Sequence, residues 1–292
     1  MKQTTGNILV VAALVLAGIV ILSYVSSTDA ELSRYNGGWN GTSAFYDQLE
    51  KSGGTAVTSD VFLDSSLPKA LILVEPAALP EGKYGDTIIR FVKNGGTLVI
   101  IAKNESANGM LEAAGSTIKI HESALSSIDV EYANPRMVIA YPAKNHSLLE
   151  NVGSVALNQP STLTGGETLL ETSVLSWIDR NKNGRADGTE TFGKEPVMAR
   201  EGIGEGEIIV LSDSGILINS MDFTVSERDN VQLRKNLATG MHVSYDTISS
   251  KPFMTEGVLQ TVTGVKSTTV IKIIAILLIT GVICAAYARR VL

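Results

Sequence analysis

Residues 91–102 read FVKNGGTLVIIA, and this stretch decides the fold. Phe91 and Val92 belong to an amphipathic helix, Asn94-Gly95-Gly96 stops it, and TLVIIA follows as an unbroken apolar run. A helix that gives way within three residues to such a run predicts a strand buried on both faces. Upstream, residues 70–74 (ALILV) repeat the pattern. Asp86 is expected to cap the helix between the two runs, with Ile88, Phe91 and Val92 turned inward. Downstream, Ala107, Met110, Leu111 and Ala114 fall at i, i+3, i+4 and i+7, and Gly115 ends that helix. Further upstream, Thr42 and Ser43 are placed to cap a helix to about Lys51 that carries Phe45 and Leu49 on one face.

These alternating units predict an α/β fold, a mostly parallel sheet with helices on both faces. The second half changes character. Residues 137–141, 154–157, 168–177, 196–199 and 207–212 read as strands. The last two flank Gly202, Gly204 and Gly206 and predict an antiparallel hairpin extension. Those glycines lie between strands and lead into no helix, which favours a turn over a phosphate loop. Asp229 opens a helix striped by Leu233, Leu237 and Met241, and residues 243–268 are mostly polar.

Apolar segments stand at both ends. Residues 8–25 (ILVVAALVLAGIVILSYV) carry no charge, nor do residues 273–288. Each approaches the roughly 20 residues that span a bilayer. The predicted organisation is a cytoplasmic tail 1–7, a transmembrane helix 8–25, an extracytoplasmic domain 26–268, a transmembrane helix 269–288 and a cytoplasmic tail 289–292. Residues 26–39 read as a stalk. A cleaved signal peptide is the competing reading of the first segment, but no A-x-A pattern follows Tyr24. Lys2, Arg289 and Arg290 favour both termini inside, giving a two-pass protein of the cell membrane.

All 30 acidic residues and 20 of the 24 basic ones lie between residues 26 and 268. An acidic domain argues against nucleic acid as a partner. The sole cysteine, Cys284, lies in the second apolar segment. The domain therefore has no disulfide, thiolate metal site or cysteine nucleophile.

Residues 179–190 read DRNKNGRADGTE and fit the calcium-loop template. Asp179, Asn181 and Asn183 take positions 1, 3 and 5, and Gly184 takes the sharp turn at position 6. Arg185 offers its carbonyl at position 7, Asp187 is at position 9, and Glu190 at position 12 is placed for a bidentate grip. Strand-like flanks predict a structural calcium ion in a hairpin and not a sensor whose helices open. The competing reading is a solvated turn with no ion. Sequons at Asn40, Asn104 and Asn145 fall in expected loops and are candidate glycosylation sites. Asp213 and Ser214 stand at the C-terminal end of an expected strand, where open α/β sheets place ligands.

The stretches ALILVEP, FVKNGGTLVIIA, ETSVLSW (171–177), GEGEIIVLSDSGILIN (204–219) and DNVQLRKNL (229–237) carry a family resemblance. The chain resembles a prokaryotic membrane-protein family with domain of unknown function 4350. That family is similar to class I glutamine amidotransferase-like (flavodoxin-like) domains and to outer domains of auxiliary ABC-transport components. Catalytic relatives have a cysteine in the turn after the strand matching TLVIIA. Here that turn reads Lys103-Asn104-Glu105-Ser106, so the resemblance implies no amidotransferase chemistry and no enzyme. It also implies membrane or envelope protein partners and a link to MoxR-type AAA ATPase systems.

The expected function is a non-catalytic, membrane-anchored binding or scaffolding module of an envelope assembly, with calcium as its structural cofactor. The alternatives are an accessory subunit of an ABC-type transporter, or an envelope hydrolase of unknown substrate using Ser214 or Asp213.

Overall fold

A computed structural model of the chain describes residues 28–58, 69–76, 83–129, 132, 134–239 and 243–254. In chain order, helix α1 (Ser43–Lys51) leads to β1 (Thr55–Val57) and β2 (Ala70–Val74). Next come α2 (Lys83–Lys93), β3 (Thr97–Ile101) and α3 (Asn108–Ala114). A run of strands follows: β4 (Lys119–His121), β5 (Leu125–Ser127), β6 (Met137–Pro142), β7 (Val155–Asn158), β8 (Thr162–Thr164), β9 (Glu167–Thr172) and β10 (Ser176–Ile178). The hairpin β11 (Pro196–Ile203) and β12 (Gly206–Leu211) precedes α4 (Met221–Thr224), α5 (Asn230–Thr239) and β13 (Val243–Asp246).

Nine strands share one sheet in the order β1-β13-β2-β3-β12-β11-β9-β6-β7. From β1 to β12 every neighbouring pair is parallel. From β12 to β7 every pair is antiparallel. This mixed, sheet-rich architecture overturns the expected amidotransferase-like, mostly parallel fold. The physical reason lies in the connections. A parallel pair needs a crossover of a dozen or more residues, whereas short turns can only return the chain antiparallel. The chain from β6 to β12 contains no α-helix among the described residues, so it builds a meander-like half.

No helix among the described residues is long and apolar enough to cross a membrane. The expected flanking transmembrane helices (8–25 and 269–288), the tails 1–7 and 289–292, and Met241 lie outside the described residues. The expected stalk is corrected in part. From Ala30 the chain belongs to the compact unit Ala30–Met254. Leu32, Ser33 and Asn36 are buried, and Arg34 N donates to Pro252 O at 3.0 Å.

Strands β2 and β3 are buried along their whole length, as their continuous apolar runs require. Register places Ile72 beside Val99 and Val99 beside Ile209. These pack with Phe45 and Leu49 of α1 and Leu233 and Leu237 of α5. Leu71, Leu98 and Ile208 face the other way, toward Ile88 and Val92 of α2 and Met110 and Leu111 of α3. The α1 cap differs from expectation: neither Thr42 nor Ser43 caps by its side chain. Asn219 does so, its Oδ1 accepting from Ala44 N at 3.0 Å while its Nδ2 donates to Gly38 O at 2.7 Å. Asp86 sits within the first turn of α2 instead of ahead of it.

The hairpin turn is confirmed in shape. Ile203 pairs with Gly206, leaving Gly204 and Glu205 as the two-residue turn, and Gly204 has φ +65. A Cβ on Gly206 would lie 2.2 Å from both Val92 O and Gly96 O, so the hairpin docks on the α2–β3 junction by backbone contact.

Candidate functional site

The twelve-residue loop after β10 is held at its base by the fold. Trp177 bridges Phe192, their rings meet edge-on at 5.5 Å, and Gly193 N donates to Ser176 O at 2.8 Å. Asp179 N donates to Ala124 O at 2.9 Å, tying the loop's first residue to the chain entering β5. The loop thus leaves and re-enters extended chain, not helices.

Inside the loop, side-chain oxygens turn toward backbone N–H groups. Asp179 is buried; its Oδ1 accepts from Asn183 N at 3.1 Å and its Oδ2 from Gly184 N at 2.7 Å. Asn181 Oδ1 accepts from Asn183 N, and Asn183 Oδ1 from Arg185 N at 2.8 Å. Glu190 reaches back across the loop, accepting from Arg180 N at 2.8 Å and Asp187 N at 3.2 Å. Gly184 has φ +73, the left-handed turn its template position demands. Asp187 accepts from Thr189 N and Thr189 Oγ1, which hold its carboxyl below the usual range, and Asn181 Nδ2 donates to it at 2.7 Å.

All six template residues are therefore gathered in one turn of chain. Among the described residues, however, no group of three or more His, Cys, Asp and Glu side chains converges as metal ligands. Any ion here would need the amide oxygens of Asn181 and Asn183 and the Arg185 carbonyl beside the three carboxylates. That all-oxygen donor set suits a hard cation.

A second polar cluster occupies the C-terminal ends of β2, β3 and β12. Glu75, directly after β2, is buried and has φ +44, a strained value for a residue with a Cβ. Its Oε1 accepts from Ser214 Oγ at 2.5 Å and Lys103 N at 2.9 Å, and its Oε2 from Asn104 Nδ2 at 2.7 Å. Asp213 is buried beside it, accepting from Asn158 N at 2.6 Å and Gly215 N at 2.7 Å. Burial pushes its carboxyl up to about 7, against the pull of those N–H groups and the Lys103 charge.

Asp213 and Ser214 were visible in the sequence as a polar strand end; Glu75 was not singled out. Its signal was a carboxylate placed straight after five apolar residues. Ser214 stands at hydrogen-bonding distance from a carboxylate, but it is wholly buried, and a substrate has no access to its Oγ. The cluster ties three strand ends together.

The sequons differ in exposure. Asn145 is exposed. Asn40 Oδ1 accepts from Asn36 Nδ2 at 2.8 Å, and the Asn104 amide is engaged by Glu75, so a glycan at Asn104 would displace that bond.

No curated protein matches the sequence. Among solved structures, the mmIFT52 N-terminal domain is 14% identical with a TM-score of 0.46, over 61% of this chain and 78% of that one. The cytoplasmic protein STM1381 from Salmonella typhimurium LT2 is 13% identical with a TM-score of 0.44, over 69% and 87%. A beta-galactosidase from Bacillus circulans sp. alkalophilus is 16% identical with a TM-score of 0.40, over 64% of this chain but only 27% of the enzyme. The stretches that make up the nine-stranded sheet and its helices fall almost wholly within residues 34–238, which match one family model over most of the chain. The chain belongs to the family described as a domain of unknown function, DUF4350.

Proposed function

We propose that this domain is a non-catalytic binding or scaffolding module, held outside the cytoplasm by a membrane anchor, in which a structural calcium ion stiffens loop 179–190. The observation that carries the reading is the closed geometry of that loop. Its first and last template residues, Asp179 and Glu190, are both buried, and the Trp177–Phe192 contact clamps its base. Asp179, Asn181, Asn183, Asp187 and Glu190 would hold the ion by side chains, and Arg185 by its carbonyl. The ion supplies positive charge to three carboxylates and does no chemistry. Extracytoplasmic loops of this kind bind at about 10⁻⁴ to 10⁻³ M, which fits a compartment rich in calcium. The uncharged ends 8–25 and 273–288 support the anchor. Envelope proteins are the partners this placement offers.

Thermal unfolding of the full chain tests the calcium. A preferentially bound ion raises the midpoint in millimolar calcium relative to chelator. Asp179→Ala and Glu190→Gln are expected to abolish that increment, whatever their effect on the calcium-free midpoint. An increment that survives both substitutions removes the ion from this loop.

A further inference from the structure

A cavity of about 260 Å³ opens beside the Glu75 cluster, at the C-terminal end of β3. Three cations line it: Lys103 from the end of β3, Arg136 from the entry to β6, and Lys182 from the calcium-type loop. Among the described residues Glu122 is the only carboxylate on its wall; Ser123, Gln159 and Ser161 add polar groups. None of the three cations forms an ion pair with a described carboxylate. Arg136 Nε is buried and has no hydrogen-bond partner among the described residues. An unsatisfied buried donor of this kind costs about 1–3 kcal/mol.

The walls are built, not incidental. Ser161 Oγ donates to Lys103 O at 2.6 Å, and Gln159 N donates to Arg136 O at 2.9 Å, fixing the backbone at both cations. Gln159 has φ +62 and Lys182 has φ +57, so two non-glycine residues on the same wall adopt left-handed backbone. Such residues persist where surrounding structure enforces them, and they gather at ligand sites.

We infer that this cavity binds a single oxyanion group, a carboxylate or a tetrahedral phosphate- or sulfate-like head, through Lys103, Arg136 and Lys182. Three cations gathered on one small wall attract such a group, and Arg pairs planar or tetrahedral oxyanions in fork geometry. The volume is below that of pockets that take drug-sized ligands, so it admits a headgroup or side-chain terminus. The inference names a ligand class for the binding module. Only one element rests on the calcium reading: Lys182 is the fourth residue of the loop, so ordering the loop with calcium also sets this cation in place.

The test is thermal unfolding of the full chain titrated with millimolar sodium sulfate or sodium acetate, with ionic strength matched by chloride. A saturable rise of the midpoint above the chloride control is expected for at least one of the two. Response to sulfate alone identifies a tetrahedral head, and response to acetate alone a carboxylate. Lys103→Gln and the exposed Lys182→Gln are each expected to weaken binding about fivefold or more, and Lys51→Gln to leave it unchanged. Identical curves in sulfate, acetate and chloride, or wild-type titrations in both variants, overturn the inference. Repeating the titration in chelator separates the two readings. Oxyanion binding without any calcium increment keeps the cavity and removes the ion; a calcium increment without oxyanion binding does the reverse.

Discussion

The Ser214 hydroxyl donates to the Glu75 carboxylate at 2.5 Å across 139 positions of sequence, joining the chain after β12 to the chain after β2. Lys103 N and Asn104 Nδ2 add the chain after β3. Glu75→Gln cannot accept from all three donors and is expected to cost about 1–3 kcal/mol in urea unfolding. Ser214→Ala removes one donor and is expected to cost about 1 kcal/mol. Equal unfolding free energies for both variants and wild type would show that the cluster ties nothing.

Asp213 gives stability a pH dependence. Its folded value of about 7 lies above that of an unfolded aspartate, so the folded state favours the protonated carboxyl. That contribution is complete below about pH 4 and is lost as pH rises through about 7. Wild type is expected to lose about 3 kcal/mol between about pH 5 and pH 8 from this group. Asp213→Asn should flatten that window; a variant whose midpoint falls as steeply as wild type would contradict the assignment.

Asn219 caps α1 from 175 positions away. Asn219→Ala is expected to cost about 1–2 kcal/mol, with Ser43→Ala within about 0.5 kcal/mol of wild type. Chemical unfolding of the two variants side by side decides which residue is the cap.

Phe192 is half exposed yet closes the loop base against buried Trp177. On the proposed calcium reading, Phe192→Ala should lower the calcium-free midpoint only slightly while reducing the calcium increment, because an ion would then have to order a loop whose ends are no longer clamped. A full increment in that variant would uncouple the clamp from the ion.

Two glycines make a paired control. Gly206→Ala places a Cβ 2.2 Å from two carbonyl oxygens, whereas Gly188→Ala meets nothing within 4 Å. The first is expected to lower expression and melting midpoint sharply; the second should match wild type within about 0.5 kcal/mol.

The sequence disclosed those parts of the fold that local patterning encodes. ALILV and TLVIIA became adjacent strands because a run apolar at every position has nowhere to lie except between two packed layers. The hairpin was legible for the same local reason, in Gly204 and Gly206. The read strand 168–177 failed because Ser173 breaks it: its Oγ accepts from Leu175 N at 3.2 Å and donates to Asp129 at 2.7 Å, sending β9 and β10 into different sheets. Strand VSYD (243–246) gives no apolar run, because two of its four residues are polar. All four are buried, and Asp246 is satisfied by Tyr84, Ile248 and Ser249 from outside the strand. In the loop 179–190 the polar side chains that meet are all local, so spacing alone marks them as candidates. The cavity was invisible because Lys103, Arg136 and Lys182 meet only in three dimensions.

The position of β13 has a consequence for the order in which the chain becomes a domain. Ser244 lies between Thr55 on one side and Leu71 on the other, so the sheet stays split until residues near 246 arrive. These are among the longest-range pairings in the molecule, and non-local strand pairing delays folding because loop closure precedes its reward. A nascent chain stopped before β13 has β1 detached from the sheet and the apolar edge of β2 uncovered. The domain therefore closes its sheet only once residues 243–246 are available, and fragments ending before residue 243 are expected to be targets for chaperones and proteases.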